Sequence, residues 1–228
     1  GLERGQRVLD VSSGRGTQSL FYAESFGADV TGLDLAEDMV ETARARARSS
    51  TARDRVRFVQ GDSQALPFED GEFDATINEC AVGIPDDSQR VLDEMVRVTR
   101  PGGLVVIHES TWQAHLTEAE KHELAERYGT TPLEESEWIA MMKKAGLNDV
   151  HSELQPWSEP ENFWKVRQER DVKGPGGVLT VRERIATVWR ILREYGLRGV
   201  LTALTNERRF YAAIRARKIG YGLYWGRV

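Results

Sequence analysis

The chain has 228 residues and a formal net charge of −5, a length that allows one large domain, or a domain with an added segment, around a sizeable core. No run approaches the roughly 18 apolar residues of a membrane span, and no signal peptide is recognisable. The single cysteine, Cys80, excludes an internal disulfide framework, so we expect a reducing compartment and a cytoplasmic protein.

The first predicted element is a buried strand over residues 7–11, which contains Asp10 near its carboxyl end. A run of small residues follows, and a helical pattern begins directly after it. A strand that turns through glycines into a helix leaves backbone N–H groups free and lets a ligand approach the main chain. This arrangement predicts the first crossover of a nucleotide-binding sheet. The small residues of the turn are Ser12, Ser13, Gly14 and Gly16.

A second predicted strand, residues 29–34, ends in Asp34, which lies 18 residues beyond Gly16. A carboxylate at this place can accept hydrogen bonds from ribose hydroxyls, which fits NAD as well as it fits S-adenosylmethionine (AdoMet). Two details favour AdoMet. The dinucleotide pattern needs a third glycine where this chain has Ser19, and another acid, Asp62, follows the next short strand.

Strands and helices continue to alternate through the first two thirds of the chain, which predicts a parallel sheet with right-handed crossovers. Pro101-Gly102-Gly103 is expected to end the third helix. The predicted helices cover residues 17–26, 36–49, 88–99 and 134–145, and the further strands cover 56–60, 73–78, 104–109 and 148–154.

The last third of the chain has a different pattern. Residues 158–218 are predicted to be mostly helical, interrupted by a turn at residues 173–177, and residues 219–228 form a final strand. Residues 158–228 hold fifteen Lys or Arg and seven Asp or Glu, a balance of +8, whereas the rest of the chain carries −13.

Four ordered segments of the sequence resemble the motifs of class I AdoMet-dependent methyltransferases, and the match covers about residues 4–157. The nearest branch resembles the small-molecule group that includes the ubiquinone and menaquinone methyltransferases. The segments are VLDVSSGRG, VTGLDLAEDMV, GDSQALPFEDGEFD and VLDEMVRVTRPGGLVVI.

The resemblance implies an α/β fold with a doubly wound, seven-stranded, Rossmann-like sheet, whose last strand is antiparallel and lies at the sheet edge. The AdoMet-binding core would then comprise residues 1–157 and the final strand 219–228, with residues 158–218 inserted as a helical lid. The family also has a helix upstream of the first strand, so we expect further residues before Gly1. It has glycine where this chain has Ser12, a change that costs little if that residue has negative φ.

The resemblance also implies a set of AdoMet-binding residues. Asp34 would bind the ribose, Met39 would stack on the adenine, and Asp62 with the Ser63 N–H would contact the adenine edge. Asp10 would orient the glycine turn or the amino group of the ligand. The complete predicted set is Asp10, Ser12, Gly14, Gly16, Asp34, Leu35, Met39, Asp62, Ser63 and Asn78.

Methyl transfer from a sulfonium requires mainly positioning, and a hydroxyl or amine acceptor also needs a base. Glu79 and His108 follow strand ends that face the crevice and are the catalytic candidates, each with a structural role as the alternative. No cluster of His, Cys and acids has metal-ligand spacing, so no metal is predicted.

We therefore predict methyl transfer to a small molecule under the helical lid. Three alternatives remain open. First, the basic lid could bind an RNA or protein substrate, although its interleaved acids disfavour nucleic acid. Second, the chain could bind AdoMet without catalysis. Third, residues 188–204, which are arginine-rich and aliphatic, could bind a membrane surface.

Overall fold

A computed structural model describes residues 2–128, 132–155 and 181–228 of the chain. Its centre is a seven-stranded sheet in the order β3-β2-β1-β4-β5-β7-β6. The strands are β1 (Arg7–Val11), β2 (Asp29–Asp34), β3 (Val56–Gln60), β4 (Phe73–Glu79), β5 (Thr99–Trp112), β6 (Asn148–Gln155) and β7 (Ile219–Arg227). The helices are α1 (Thr17–Phe26), α2 (Glu37–Ala47), α3 (Ser88–Val98), α4 (Glu118–Tyr128), α5 (Glu135–Lys144) and α6 (Val181–Arg215), with a short 3-10 helix at Arg53–Arg55.

Alternating side chains of β1 bury both faces of the sheet. Leu9 belongs to a cluster that includes Leu92 and Met95 of α3, while Val8 belongs to a second cluster with Tyr22 and Ala23 of α1. Successive strand residues point to opposite faces, so helices must cover both sides. β1 pairs in parallel with β2 and with β4, and β2 pairs in parallel with β3. The doubly wound architecture predicted from the sequence is confirmed.

The position of the last strand differs from the prediction. Val228 exchanges backbone hydrogen bonds with Gly102 and Gly103, and the Gln113 N–H donates to the Lys218 carbonyl at 3.0 Å, so β7 runs antiparallel to β5. The direction is therefore as predicted, but the edge position was wrong: β7 lies between β5 and β6, and β6 takes the edge.

Two elements of the sequence prediction also need correction. Helix α3 ends at Val98, before Pro101-Gly102-Gly103, as predicted, but β5 begins at Thr99 and not at residue 104. The segment belongs to β5 because its backbone is paired with the carboxyl end of the chain. Helix α4, over Glu118–Tyr128, was not predicted at all. The predicted turn at residues 173–177 lies outside the described residues.

The chain divides into two compact units. The first comprises Gly1–Thr111, Pro132–Leu154 and Tyr221–Val228, and the second comprises the described residues within Trp112–Thr131 and Gln155–Gly220. The second unit thus includes residues 112–131, which the sequence analysis assigned to the core. Within it, Trp112, Ala213 and Ile219 form a small buried cluster.

In the part of the chain that the structure describes, no helix is long and apolar enough to cross a membrane.

Candidate functional site

The turn between β1 and α1 contains three residues in the left-handed backbone region. Ser12, Gly14 and Gly16 have φ values of 61°, 53° and 72°. Glycine adopts this conformation without steric cost, but an L side chain does not. The condition of negative φ at Ser12 is therefore not met, and this serine carries backbone strain that glycine would avoid.

The turn is tied to the end of β2 by a carboxylate. The Gly14 N–H donates to Asp34 Oδ2 at 2.8 Å, and the Ala36 N–H donates to Asp34 Oδ1 at 3.0 Å. Each carboxylate oxygen has a second lone pair available. Asp34 is half-buried, so it can accept further hydrogen bonds from a ligand while it holds the turn in place.

The two glycines of the turn have different neighbours. A Cβ atom on Gly14 would meet nothing within 4 Å, whereas a Cβ atom on Gly16 would lie 2.5 Å from Cζ of Phe58 and 3.0 Å from Cβ of Ala43. Gly14 therefore borders open space that a ligand can fill. Gly16 is required by packing, because the ring of Phe58 on β3 occupies the space where a side chain would go.

Three carboxylates converge on this end of the sheet. Asp10 is buried and accepts a hydrogen bond from the Ser19 hydroxyl on α1. The pKa of Asp10 is raised to about 7, mainly by burial and also by the nearby charges of Glu79 and Asp34, while the hydrogen bonds from Ser19 act to lower it. Removing water from an anion beside other anions favours the protonated form. The site therefore has a negative potential suited to a cationic ligand.

Glu79, at the end of β4, is held by α1. Gln18 Nε2 donates to Glu79 Oε2 at 2.5 Å, and the Tyr22 hydroxyl donates to Oε1. Burial raises the pKa of the Tyr22 phenol, and the Glu79 charge raises it further, so this phenol stays protonated and keeps donating. Both hydrogen bonds hold the carboxylate of Glu79 against α1, and this fixed position favours an electrostatic role for Glu79 over proton abstraction.

The residues predicted to contact adenine lie beyond β2 and β3. The Leu35 side chain is 68% exposed directly after Asp34, and Met39 on α2 is half-buried. Asp62 accepts the Gln64 N–H through Oδ1 at 2.8 Å, which is an Asx turn, so one of its oxygens has a local structural role. The Gly61 N–H donates to the Asp34 carbonyl and brings the two strand ends together.

Ser63 and Asn78, also predicted to bind the cofactor, are both buried. The Asn78 amide donates to the Val11 carbonyl at 3.1 Å and accepts the Ala81 N–H at 3.1 Å. Asn78 therefore joins β1 to the loop after β4 by hydrogen bonds and fixes both segments in place.

Glu109 follows His108 in β5, and its contacts could not be predicted from the sequence. Its side chain is buried, and Oε1 accepts the Val82 N–H at 2.6 Å. Burial raises the pKa of Glu109 to about 7, although further N–H groups of Ala81, Gly83 and Ser110 act to lower it. This carboxylate fixes the loop that follows Glu79.

The second catalytic candidate, His108, lies beside that loop. Its Nδ1 is 4.0 Å from Cys80 Sγ, and its ring stacks on Tyr221 with centroids 5.0 Å apart. Nε2 is buried and has no hydrogen-bond partner among the described residues. A buried imidazole nitrogen without a partner has an unmet requirement that a bound hydroxyl could satisfy.

The described residues contain no group of three His, Cys, Asp or Glu side chains arranged to hold a metal ion.

Comparison with known proteins gives a consistent result. Residues 8–103 match the family model described as a methyltransferase domain. A demethylmenaquinone methyltransferase of Renibacterium salmoninarum is 40% identical over 109 residues, which cover 48% of this chain and 43% of that protein. The chain thus spans less than half the length of this curated relative.

Solved structures share the fold over nearly the whole chain. Geranyl diphosphate C-methyltransferase from Streptomyces coelicolor, solved with S-adenosyl-L-homocysteine, has a TM-score of 0.71 at 17% identity, covering 99% of this chain and 74% of its own. The 4+2 cyclase SpnF has a TM-score of 0.76 at 21% identity, covering 99% and 75%. At these identities the likeness shows the fold alone. The resemblance stated from the sequence and its Rossmann-like fold are confirmed.

Proposed function

We propose that the protein transfers a methyl group from AdoMet to a small-molecule acceptor, because residues 8–103 match the family model described as a methyltransferase domain. The observation that carries the proposal is the hydrogen bond from the Gly14 N–H to Asp34, with open space beside Gly14. This hydrogen bond joins the carboxylate that we propose for ribose binding to an unobstructed backbone turn at the carboxyl ends of parallel strands.

Electrostatics favour AdoMet over NAD at this site. AdoMet carries a sulfonium and an ammonium group, whereas the pyrophosphate of NAD is doubly anionic. Asp34 and Glu79 lie close enough to Asp10 for their charges to raise its pKa. Opposite charges attract strongly in such a partly dehydrated site, and like charges repel. Asp10 and Glu79 would then face the cationic half of the cofactor, and Asp34 its ribose.

The other predicted contacts complete the cofactor site in this proposal. Leu35 and Met39 would pack against the adenine, with the Ser63 N–H and the free oxygen of Asp62 at its edge. Exposed apolar side chains such as Leu35, beside polar groups, are typical of a ligand pocket. Gly16 and Asn78 would hold the turn and the end of β1 in place beside the cofactor.

His108 is the better of the two candidates for the base. Its Nε2 lacks a partner among the described residues, whereas both oxygens of Glu79 accept hydrogen bonds from α1. His108 would accept the proton that a hydroxyl or amine acceptor loses as its oxygen or nitrogen attacks the methyl group. Bound AdoMet would supply the methyl group, and S-adenosylhomocysteine would depart with the electron pair of the methyl–sulfur bond.

The names of the relatives guide the choice of acceptor. One similar stretch belongs to a demethylmenaquinone methyltransferase, and a structural neighbour is named a geranyl diphosphate C-methyltransferase. Both names describe small organic acceptors. We therefore propose a small organic acceptor for this chain as well. The helical lid that the sequence predicts over residues 158–218 stays a prediction, and its residues 158–180 lie outside the described residues.

The test is a methyl-transfer assay with radiolabelled AdoMet and a panel of reduced quinones, phenols, amines and thiols. His108→Asn should lower kcat about 10²-fold or more on a hydroxyl acceptor and leave AdoMet affinity unchanged. Tyr221→Leu is the matched control, because it removes the stacked neighbour and keeps the imidazole. Equal turnover by His108→Asn and the wild type would contradict the assignment of the base.

A second candidate is AdoMet binding without methyl transfer, because the cyclase SpnF has the same fold. Tight AdoMet binding with no labelled product across the whole panel would favour this candidate.

A further inference from the structure

Helix α6 presents an apolar stripe to solvent. In its first half, Ile185, Val188, Trp189 and Leu192 follow the spacing of one helical face, and all four side chains are exposed, Trp189 to 66%. An amphipathic helix of a globular protein normally buries such a face. Among the described side chains between residues 185 and 205, none is buried.

The stripe is repeated after a kink. Gly196 has non-helical angles, φ 66° and ψ −168°, and divides α6 in two. In the second half, Leu197, Leu201 and Leu204 again share one face and are exposed, Leu197 to 67%. Unlike the two stripes, the carboxyl end of α6 is packed in the interior of its own unit, where Ala213 is buried against Trp112 and Ile219. The two stripes are therefore displayed by a helix whose carboxyl end is fixed in its own unit.

Cationic residues accompany the stripes. Arg190, Arg193 and Arg198 lie among the exposed apolar residues, with Glu194 as the single acid between residues 185 and 205. In the sequence of residues 181–218, ten Lys or Arg accompany three Glu. A helix with an apolar face, flanking arginines and aromatic residues at the boundary is the pattern of a helix that lies in a membrane interface.

We propose that the apolar stripes of α6 dock on an anionic lipid bilayer. The leucines, Ile185 and Val188 would enter the boundary between headgroups and acyl chains, with Trp189 and Tyr195 at headgroup level. The arginines would pair with lipid phosphates. A second copy of the chain fits this face less well, because a two-fold contact would set the arginines of one copy against those of the other.

The experiment is co-sedimentation of the full chain with vesicles. Phosphatidylcholine vesicles are compared with vesicles that also contain phosphatidylglycerol, at low and high salt. We expect binding to the anionic vesicles only, weakened by salt. Arg190→Glu/Arg193→Glu should weaken it about thirtyfold or more, since each basic residue near the surface contributes about fivefold. Trp189→Ser/Leu192→Ser should weaken it about tenfold or more, because apolar burial is lost.

Arg48→Glu/Arg53→Glu is the charge-matched control, because these two exposed arginines lie in the other unit, at the end of α2 and in the 3-10 helix. This control should bind vesicles nearly as the wild type does. Circular dichroism checks that each variant is folded. The proposal is overturned if the wild type stays in the supernatant with anionic vesicles, or if folded Trp189→Ser/Leu192→Ser binds them equally well. A dimer that these substitutions dissociate, without vesicle binding by the wild type, would instead assign the face to a second copy.

Discussion

Alanine at Gly16 and alanine at Gly14 should have different effects, although the two residues lie in the same turn. At Gly16 the new Cβ would lie 2.5 Å from Cζ of Phe58, and φ is 72°. Overpacking costs about 1–3 kcal/mol and the left-handed backbone about 1–2 kcal/mol, so we expect a loss of about 2–5 kcal/mol. For a chain of this length the midpoint of thermal unfolding should fall by roughly 4–20 °C.

At Gly14 the new Cβ would meet no protein atom within 4 Å, so only the backbone cost of about 1–2 kcal/mol applies to stability. The methyl group would instead occupy space proposed for the cofactor. Gly14→Ala should therefore unfold only slightly below the wild type and bind AdoMet about tenfold or more weakly.

Thermal unfolding and calorimetric titration of both variants provide the assay. A second substitution checks the cause at Gly16. Phe58→Leu removes the clashing ring atoms, so the double variant Gly16→Ala/Phe58→Leu should be about 1–2 kcal/mol more stable than the sum of the two single changes predicts. Additive effects, or wild-type AdoMet affinity for Gly14→Ala, would refute the reasoning.

Two further predictions concern stability. Ser12→Gly should stabilise the protein by about 0.5–1 kcal/mol in urea unfolding. The φ of Ser12 is 61°, so glycine relieves backbone strain, although it also raises the entropy of the unfolded chain. A destabilised Ser12→Gly variant would contradict this prediction. Burial raises the pKa of Glu109 from 4.5 to about 7, so the folded state binds the carboxyl proton more tightly than the unfolded state does. This tighter proton binding makes its full contribution to the free energy of unfolding below pH 4.5. The contribution is lost as the pH rises through 7. The free energy of unfolding should fall between pH 5 and 8, and Glu109→Gln should reduce this fall by about 2 kcal/mol. The fall that remains in the variant would come from Asp10. An unchanged pH dependence would show that Glu109 does not titrate in this range.

Elements whose signals are local could be predicted from the sequence. The bounds of β1, β2 and β3 agree with the prediction, because each strand is a short aliphatic run with polar or small residues at its ends. Asp34 was found because its distance from the glycine turn is fixed by the length of one helix and one strand. In the structure the Gly14 N–H donates a hydrogen bond to Asp34, so the two predicted motifs are in direct contact.

Features that depend on distant residues could not be predicted. Pro101-Gly102-Gly103 is a helix terminator on local rules, yet it joins β5 because Val228 pairs with it. The ring that requires a glycine at position 16 belongs to Phe58, on another strand. Glu109 meets the N–H groups of residues 81–83 only in the folded sheet. In each case the structural role of a residue depends on a partner far along the chain. The local sequence pattern does not show which distant residue that partner is.

The measurement that tests the central claim most directly is calorimetric titration of AdoMet and of NAD into the wild type, Asp34→Ala and Asp29→Ala. Asp29 begins β2 at the opposite end of the sheet and pairs there with Arg55, so its variant is the control. The account predicts that the wild type and Asp29→Ala bind AdoMet and not NAD, and that Asp34→Ala binds AdoMet about hundredfold or more weakly, since charge-assisted ribose hydrogen bonds are lost. Binding of NAD by the wild type, or undiminished AdoMet affinity in folded Asp34→Ala, would contradict it.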